Sequence, residues 1–388
     1  MTEPGHVSTR TRGTRTRSLG GLAEDQRVHP LDDNLCAEVH RELGAFLRAK
    51  RDEAARIDQQ FVAAVDSLSE VVLGPGKRLR PTFAWWGWRG AGGCPADPRA
   101  WAVLRAVSSL ELIHACALVH DDLMDDSTIR RGAPTVHIEF AARHRAAGWS
   151  GAPERFGAAT AILLGDIALA WADDMLREAD LWPEQLHRAH AVWQAMRTEV
   201  LAGQYLDVLT QASGDEAPET ALRIDRYKTA AYTVERPLHL GAAIAGASPA
   251  LVRAYRCFGA DIGIAFQLRD DLLGMFGDPR ITGKPAGEDL REGKRTLLLA
   301  YGLRAADEKR QTGAADLLRD AIGNPQVDES TVTEIRELLI ELGAVAEVER
   351  RITTLTDSAL GSLYAADLTE PAGARLSELA AQATCRVR

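Results

Sequence analysis

The sequence of 388 residues has few cysteines and few aromatic residues, and its charge balance is negative. Its five cysteines are an odd number and include no C-x-x-C pair, which argues against a disulfide framework and against a cysteine-ligated zinc site. The net charge of -9 argues against a nucleic-acid partner, because binding DNA or RNA calls for an excess of Lys and Arg on one face. We therefore expect reduced thiols and no nucleic-acid partner.

Long apolar runs are also missing. No stretch approaches the roughly 20 uncharged apolar residues that a membrane-spanning helix needs, and the N-terminus lacks the apolar segment of a secretory signal. We expect no integral membrane segment and a cytoplasmic location. Residues 1 to 28 carry arginines among Thr, Ser and Gly with almost nothing to bury, which predicts a disordered tail before one domain over residues 29 to 388.

From about residue 29 onward, apolar residues recur at helical spacing and alternating β-branched runs are nearly absent. Ala, Leu, Arg and Glu are frequent, and all four favour helices. The sequence therefore predicts an all-α protein built as a single large helical bundle. Predicted uninterrupted helices include 33 to 68, 98 to 125 and 218 to 246, and Gly- and Pro-rich breaks are predicted at 74 to 81, 91 to 98, 126 to 154 and 276 to 293.

Four aspartates lie within six residues at the end of an apolar helical stretch, in the segment HDDLMDD. On a helix, Asp121 and Asp125 are one turn apart on the same face, and Asp122 lies about 100° from Asp121, so their oxygens can converge on a hard cation. A solvated acidic helix end is the alternative. Because acids at a helix C-terminus oppose the macrodipole, metal binding by these three aspartates is the preferred hypothesis.

A second acidic pair, Asp270 and Asp271, lies about 150 residues later on another apolar helical segment, FQLRDDLLGMFGD. Two acidic sites on two long helices can face one cavity. Magnesium keeps several waters and commonly bridges a few carboxylates to phosphates. The two clusters together therefore predict a magnesium site for a diphosphate group.

Basic residues accompany the acids in segments rich in glycine. Ordinary surface charge is the alternative interpretation, but glycine beside a basic residue lets the backbone approach an anion closely, and Arg and Lys both bind phosphate. The candidates for binding phosphate are Lys77, Arg78, Arg80, Arg130, Arg131, Lys228, Lys284 and Lys294.

Taken in order, six segments resemble those of the trans-prenyltransferases, the polyprenyl diphosphate synthases, and most closely the bacterial geranylgeranyl diphosphate synthases. They are PGKRLRP, LIHACALVHDDLMDDSTIRRG, GQYLD, YKTA, FQLRDDLLG and TGKPAGEDLREGKRTLL. The resemblance implies a homodimer, each chain an isoprenoid-synthase bundle with a central apolar cavity. It also implies transfer of isopentenyl diphosphate onto dimethylallyl, geranyl or farnesyl diphosphate.

The resemblance further implies roles for the residues at matching positions. Up to three magnesium ions would be held by Asp121, Asp122, Asp125, Asp270 and Asp271. The allylic diphosphate would be held by Arg130, Lys228, Lys284 and Lys294, and the diphosphate of isopentenyl diphosphate by Lys77, Arg78, His114 and Arg131. The reacting carbons would be lined by Gln204, Thr229 and Gln267. The catalytic set would then comprise Asp121, Asp122, Lys228, Thr229, Gln267 and Asp270.

One position departs from the family pattern. The second acidic motif usually has a third aspartate where this chain has Gly274, and Asp278 is the sequence candidate for supplying that charge. Product length depends on the depth of the apolar cavity before Asp121. Since Cys116 and Ala117 are small, a twenty-carbon product is expected first and a longer one second, unless Trp171 or Phe156 closes the pocket.

Three other classes of protein fit the sequence less well. A terpene cyclase would carry an Asn/Asp-x-x-Ser/Thr-x-x-x-Glu pattern near residues 260 to 275, and none occurs there. A head-to-head condensing enzyme would have differently spaced acids and no use for the GKR and RRG segments. A non-catalytic regulatory subunit typically loses the first acidic motif, which is intact here.

Overall fold

The computed structural model describes residues 1–2, 29–278 and 286–384. Within these residues the chain forms helices and one two-stranded antiparallel hairpin, so the prediction of an all-α fold is confirmed. The predicted tail falls almost entirely outside the described residues, as do Lys284 and Cys385.

The helices follow one another with short connections. Those before the second acid cluster are α1 (Pro30–Asp33), α2 (Leu35–Ile57), α3 (Gln59–Leu73), α4 (Leu79–Gly90), α5 (Ala100–Ser108), α6 (Leu110–Met124), α7 (Val136–Ala147), α8 (Pro153–Arg177), α9 (Pro183–Ser213), α10 (Pro218–Ile224) and α11 (Arg236–Ala245). The remainder are α12 (Pro249–Phe276), α13 (Glu288–Arg291), α14 (Leu297–Glu308), α15 (Thr312–Ala321), α16 (Glu329–Glu341), α17 (Ala344–Tyr364) and α18 (Ala372–Thr384). The hairpin consists of β1 (Ile129–Arg130) and β2 (Ala133–Pro134).

Helix α12 lies between two hydrophobic clusters. Its first half, with the fully buried Phe258 and Ile262, belongs to the larger cluster formed with helices α2 to α9 and α11. Its second half, with Leu268 and Leu272, belongs to a smaller cluster formed with helices α14 to α17. Both halves of α12 are therefore anchored in the core, and its acidic end lies on the half that packs in the smaller cluster.

The chain between α10 and α11 widens into a π-helical segment, Asp225–Glu235. Neighbouring helices approach its backbone closely at glycines. A Cβ at Gly203 of α9 would lie 2.2 Å from the backbone nitrogen of Lys228, and one at Gly263 of α12 would lie 2.4 Å from the Cα of Ala230. The segment is therefore held between α9 and α12 at distances that a larger residue would not permit.

Two predicted helices are interrupted in the structure. The helix predicted over 33 to 68 ends at Ile57 and restarts at Gln59, because Asp58 is extended and its carboxylate accepts a hydrogen bond from the backbone of Gln60. The helix predicted over 98 to 125 is interrupted at Ser109. The hydroxyls of Ser108 and Ser109 donate to backbone carbonyls of the preceding turn, a pattern that bends helices.

Two longer helices, α4 and α7, have no counterpart among the predicted helices. Helix α4 fills the stretch between two Gly- and Pro-rich breaks and buries three tryptophans, and α7 lies inside the break predicted over 126 to 154. Neither shows a one-sided apolar stripe, since α4 is buried nearly all round and α7 carries polar residues throughout.

Two helical stretches are long and apolar enough to cross a membrane by length and composition alone. In the apolar window of Ala100–Met124, 78% of the residues are buried, and in that of Pro153–Arg177, 39% are buried. Core helices of globular proteins pass the same test, so the expected absence of an integral membrane segment stays a prediction.

Candidate active site

The first acid cluster lies at the end of α6 and is met by a lysine from the π-helical segment. The Nζ atom of Lys228 lies 2.8 Å from Oδ1 of Asp121 and also donates to Asp207 of α9. Burial would raise the pKa of Asp121, but the charges of Lys228 and Lys294 lower it to about 2. Asp121 is therefore an anion at neutral pH.

Arg130 of strand β1 pairs with the same cluster. Its Nε donates to Oδ1 of Asp122 at 2.7 Å, and its Nη2 lies 3.8 Å from Asp121. Burial would lower the pKa of Arg130, but Asp122 raises it above its usual value. The hairpin turn that follows has positive φ at Arg131 and Gly132, so its backbone doubles back tightly beside the acids.

Lys294 lies among three carboxylates. Its Nζ is 3.2 Å from Asp125, 3.3 Å from Asp289 and 2.8 Å from Glu292. Burial and the neighbouring Asp121 raise the pKa of Asp125 to about 6, although Lys294 opposes this shift. Lys294 thus neutralises acids that would otherwise repel one another.

The second acid cluster lies on α12, and its Asp271 is buried. Asp271 accepts a hydrogen bond of 2.7 Å from Gln267, which in turn accepts one of 2.8 Å from Thr229 of the π-helical segment. Burial, followed by the charge of Asp289, raises the pKa of Asp271 to about 8, and Asp270 adds to this shift. Asp271 is therefore protonated in part at neutral pH.

The two acid clusters face each other, as expected. Lys294 forms an ion pair with Asp125 of the first cluster, and its charge also acts on Asp271 of the second. Four residues predicted to belong to one site, Lys228, Thr229, Gln267 and Lys294, therefore lie between the ends of α6 and α12.

The donor atoms of this region suit magnesium. They are carboxylate oxygens on two facing helices, and magnesium prefers oxygen. Across residues 29–278 and 286–384, no group of three or more His, Cys, Asp or Glu side chains forms a ready cage for a metal ion. This arrangement is consistent with magnesium, which completes its coordination with water and substrate phosphates rather than with an all-protein cage.

Arg78, which the resemblance assigns to the diphosphate of isopentenyl diphosphate, makes its hydrogen bonds to the protein itself. Its guanidinium donates to Glu111 at 2.7 Å and to the backbone oxygens of Val72 and Gly74 at 2.8 and 2.9 Å, and the side chain is buried. Because these bonds engage the guanidinium inside the protein, Arg78 is placed to fix the GKR loop rather than to bind a diphosphate.

Arg80, a phosphate-binding candidate to which the resemblance assigns no role, lies beside His114. Its guanidinium stacks 4.1 Å from the ring of Tyr232, whose hydroxyl lies 3.3 Å from Nδ1 of His114. Burial, followed by the charges of Arg80 and Arg131, lowers the pKa of His114 well below its usual value, so His114 is neutral. The Nε of Arg80 is buried without a hydrogen-bond partner, an arrangement that favours a ligand at this place.

Two more predicted residues lie close to this corner. Arg131 donates to the backbone oxygen of Pro75, and a Cβ at Gly76, next to Lys77, would lie 3.5 Å from the guanidinium of Arg131. Gln204 of α9 donates to the sulfur of Met124 at 3.6 Å and so lies beside the first acid cluster. The roles given to Lys77, Arg131 and Gln204 stay predictions.

Several acidic residues of the site were not singled out from the sequence. They are Asp207, Asp225, Asp289 and Glu292. Asp225 is fully buried, and burial together with Asp271 and Asp207 raises its pKa well above the usual value. Asp207 lies in the segment GQYLD, and Asp289 and Glu292 lie in GEDLREGK. Because these acids are far along the sequence from the two aspartate pairs, the sequence alone does not connect them with the site.

A cavity of about 390 Å³ lies elsewhere, between α8 and α9, and is lined mainly by apolar groups around Leu186, His190 and Trp193. His190 precedes Asp207 by 17 residues, which places the cavity about 25 Å along α9 from the acids. It is separate from the candidate active site.

Comparisons with known proteins agree with this geometry. A family model described as polyprenyl synthetase matches residues 63–339. A geranylfarnesyl diphosphate synthase of Aeropyrum pernix is 34% identical over 279 residues, which cover 71% of this chain and 79% of the relative. A (2E,6E)-farnesyl diphosphate synthase of Mycobacterium bovis is 36% identical over 283 residues, which cover 72% of each chain.

A solved structure is similar over nearly the whole chain. It is the geranylgeranyl pyrophosphate synthase of Corynebacterium glutamicum complexed with isoprenyl diphosphate and magnesium, with a TM-score of 0.88 and 48% identity, and the match covers 92% of this chain and 99% of that one. The all-α isoprenoid-synthase fold and the resemblance inferred from the sequence are thereby confirmed. This chain belongs to the polyprenyl synthetase family.

Proposed function

We propose that this enzyme, a trans-prenyl diphosphate synthase of isoprenoid biosynthesis, condenses isopentenyl diphosphate with dimethylallyl, geranyl or farnesyl diphosphate to give geranylgeranyl diphosphate. The observation that carries the proposal is the pair of facing acid clusters interleaved with Lys228, Lys294 and Arg130. Anions and cations alternate across one gap, an arrangement suited to holding a diphosphate together with metal ions.

The protein's own cations stabilise the leaving group in this proposal. Lys228, Lys294 and Arg130 pair with acids in the structure, and each can turn toward a diphosphate oxygen when substrate enters. Magnesium, which Asp121, Asp125 and Asp271 are suited to hold in up to three ions, supplies Lewis-acid neutralisation of the diphosphate when bound. As the carbon–oxygen bond breaks, the cations stabilise the negative charge that develops on the departing group.

The second substrate is assigned to the corner formed by Arg80, His114 and Arg131. Arg80 and Arg131 supply positive charge for its diphosphate, and the neutral imidazole of His114 can donate a hydrogen bond without adding charge. The double bond of isopentenyl diphosphate attacks the allylic cation, and the proton that is lost passes to the released diphosphate. Thr229 and Gln267 orient one another beside the reacting carbons.

In this proposal, the side chains on the turn of α6 before Asp121 determine the length of the product. Cys116 is buried in the core there and Ala117 is partly buried, so small side chains line this turn. The two rings considered as possible plugs pack against other rings: Trp171 lies edge-on to Phe46 and Phe156 packs against Phe140. Small residues at 116 and 117 support a product longer than fifteen carbons.

Mass spectrometry of the products tests the proposal. The wild-type protein is incubated with labelled isopentenyl diphosphate, magnesium and each allylic primer in turn, and a twenty-carbon diphosphate is expected. Cys116→Phe should stop elongation at fifteen carbons because a ring there fills the space beside the growing chain, whereas Cys257→Phe, at an exposed cysteine, should not change the product. A wild-type product of twenty-five carbons would contradict the assigned length and keep the reaction, and no elongation with any primer would contradict both.

A homodimer is part of the proposal, supported by exposed apolar residues on α8 and α9. Large contiguous apolar patches are rare on monomeric proteins, and these two helices expose six large apolar side chains. The residues are Ile162, Leu163, Leu201, Tyr205, Val208 and Leu209, all more than two-fifths exposed. Sedimentation should show a dimer that Leu163→Glu weakens, while Ile340→Glu, at an equally exposed residue of α16, should leave it intact.

A cytoplasmic location also belongs to the proposal. The four cysteines among the described residues are free thiols, as expected in a reducing compartment. Cell fractionation tests this placement, and recovery of the enzyme in the membrane fraction would contradict it.

A further inference from the structure

Position 274 is a glycine, and the structure brings a carboxylate from another segment to that place. A Cβ built at Gly274 would lie 2.5 Å from Oδ2 of Asp289. In an aspartate the carboxylate oxygens lie about 2.4 Å from the Cβ of the same residue, given bonds of roughly 1.5 and 1.2 Å. The Asp289 oxygen therefore lies at the distance from this Cβ position at which an aspartate at 274 would hold its own oxygens.

The backbone around Asp289 is fixed against α12. The amide of Gly287 donates to the carbonyl oxygen of Gly274 at 3.0 Å, and the amide of Lys294 donates to the carbonyl oxygen of Asp289 at 2.9 Å. Leu290, the next residue, is fully buried, and its carbonyl accepts a hydrogen bond of 2.8 Å from Gly323. The approach of Asp289 to Gly274 is thus set by the packing of the short helix α13.

Asp289 also faces the gap between the two acid clusters. Lys294 lies 3.3 Å from its Oδ1 and 3.2 Å from Oδ2 of Asp125. Two oxygens beside this lysine, Oδ2 of Asp125 and Oε2 of Glu292, are buried and make no hydrogen bond of good geometry. Buried carboxylate oxygens of this kind indicate a place that takes further positive charge.

We infer that Asp289 supplies the third carboxylate of the second acid cluster, in the place that an aspartate at 274 would otherwise fill, and that it binds the divalent cation and diphosphate together with Asp270 and Asp271. The inference rests on the metal role assigned under the proposed function. Gly274 is then the space that admits Asp289, and the second cluster is complete.

Exchanging the two residues tests the inference. Asp289→Ala removes the carboxylate, and the remaining Cβ lies more than 4 Å from the Cβ position at 274, so Gly274→Asp has room in the double variant. Gly274→Asp alone places a second carboxylate against Asp289. Asp126→Asn is the matched control, because it removes one charge near the site from a side chain that is 97% exposed.

The readout is the binding of Mn²⁺ to the full-length protein in the presence of inorganic pyrophosphate, measured by electron paramagnetic resonance. We expect Asp289→Ala to weaken Mn²⁺ binding by about 10- to 100-fold and the double variant to recover most of that loss. Gly274→Asp alone should also bind more weakly, and Asp126→Asn should bind as the wild type does. Unfolding temperatures within a few degrees of wild type show that each variant is folded.

Equal Mn²⁺ binding by wild type and Asp289→Ala would overturn the inference and leave the proposed function intact. So would a double variant that binds no better than Asp289→Ala. A wild-type protein that binds no Mn²⁺ with pyrophosphate would instead overturn the metal role in the proposed function, and the assignment of Asp289 with it.

Discussion

The two acid clusters have similar sequences but different electrostatics. At the end of α6, Asp121, Asp122 and Asp125 lie beside Lys228, Arg130 and Lys294, and the pKa of Asp121 falls to about 2. On α12, burial raises the pKa of Asp271 to about 8, and Asp271 accepts a hydrogen bond from the neutral Gln267. The first cluster forms ion pairs with lysine and arginine, whereas Asp271 of the second is buried with the charges of Asp289 and Asp270 nearby and so gains more from an added cation.

The largest effect is expected from removing a charge of the first cluster. Asp121→Asn should lower kcat by about 10²- to 10³-fold, because it removes a metal ligand and a partner of Lys228. Asp126→Asn, at the last residue of the same acidic run but almost fully exposed, should leave kcat about unchanged. Steady-state kinetics with saturating magnesium measures both, and equal losses in the two variants would contradict a special role for Asp121.

Removing a cation of the first cluster should destabilise the fold. Lys228→Met leaves Asp121 and Asp207 close together and largely buried, which should lower the free energy of unfolding by about 3 kcal/mol. Because Asp271 is buried and the charges of Asp289 and Asp270 raise its pKa, the matched change there, Asp271→Asn, should stabilise the metal-free protein instead. Urea unfolding of the two variants without metal checks this, and a loss of stability in both would remove the contrast.

The π-helical segment sets the position of Lys228, so crowding it should weaken the first cluster more than the second. Gly263→Ala would place a methyl group 2.4 Å from the Cα of Ala230 and should cost about 1–3 kcal/mol of folding free energy while raising KM for the allylic diphosphate. Gly361→Ala on α17 meets nothing within 4 Å and should be tolerated. Identical behaviour of the two variants would contradict the close approach of α12 to the segment.

A dependence of stability on pH is also expected from the second cluster. A carboxyl whose folded pKa lies near 8 and whose unfolded pKa lies near 4 binds its proton more tightly when folded, so it destabilises the fold increasingly as pH rises from about 4 to 8. Metal-free wild type should therefore lose up to about 1.4 kcal/mol per pH unit relative to Asp271→Asn in this window. Calorimetric scans at pH 5 to 9 measure the difference, and parallel curves would show an ordinary pKa for Asp271.

The fold and the first cluster could be predicted because their signals are local. The apolar period of α6 and the spacing of its aspartates within one turn determine both the helix and the shared face of Asp121 and Asp125. Aromatic residues are buried on all sides of α4. Its sequence therefore shows no helical period of apolar and polar residues, and this helix was not predicted. Spacing along the sequence therefore predicts which residues share a helix face, but it does not predict which segments pack against one another.

The second cluster depends on contacts between distant parts of the chain. Asp289 reaches Gly274 only because α13 packs against α12, and no spacing within the sequence encodes that approach. The contact that engages Arg78 is equally distant, since its partner Glu111 lies 33 residues away. The roles of adjacent arginines depend on tertiary packing.

The most direct test is a crystal structure of the enzyme with magnesium and an unreactive allylic thiolodiphosphate. The account predicts metal ions that join the carboxylates of α6 and α12 to the diphosphate, with the amines of Lys228 and Lys294 turned from Asp121 and Asp125 to phosphate oxygens. A diphosphate bound without metal, or bound while both lysines remain paired with the aspartates, would contradict it.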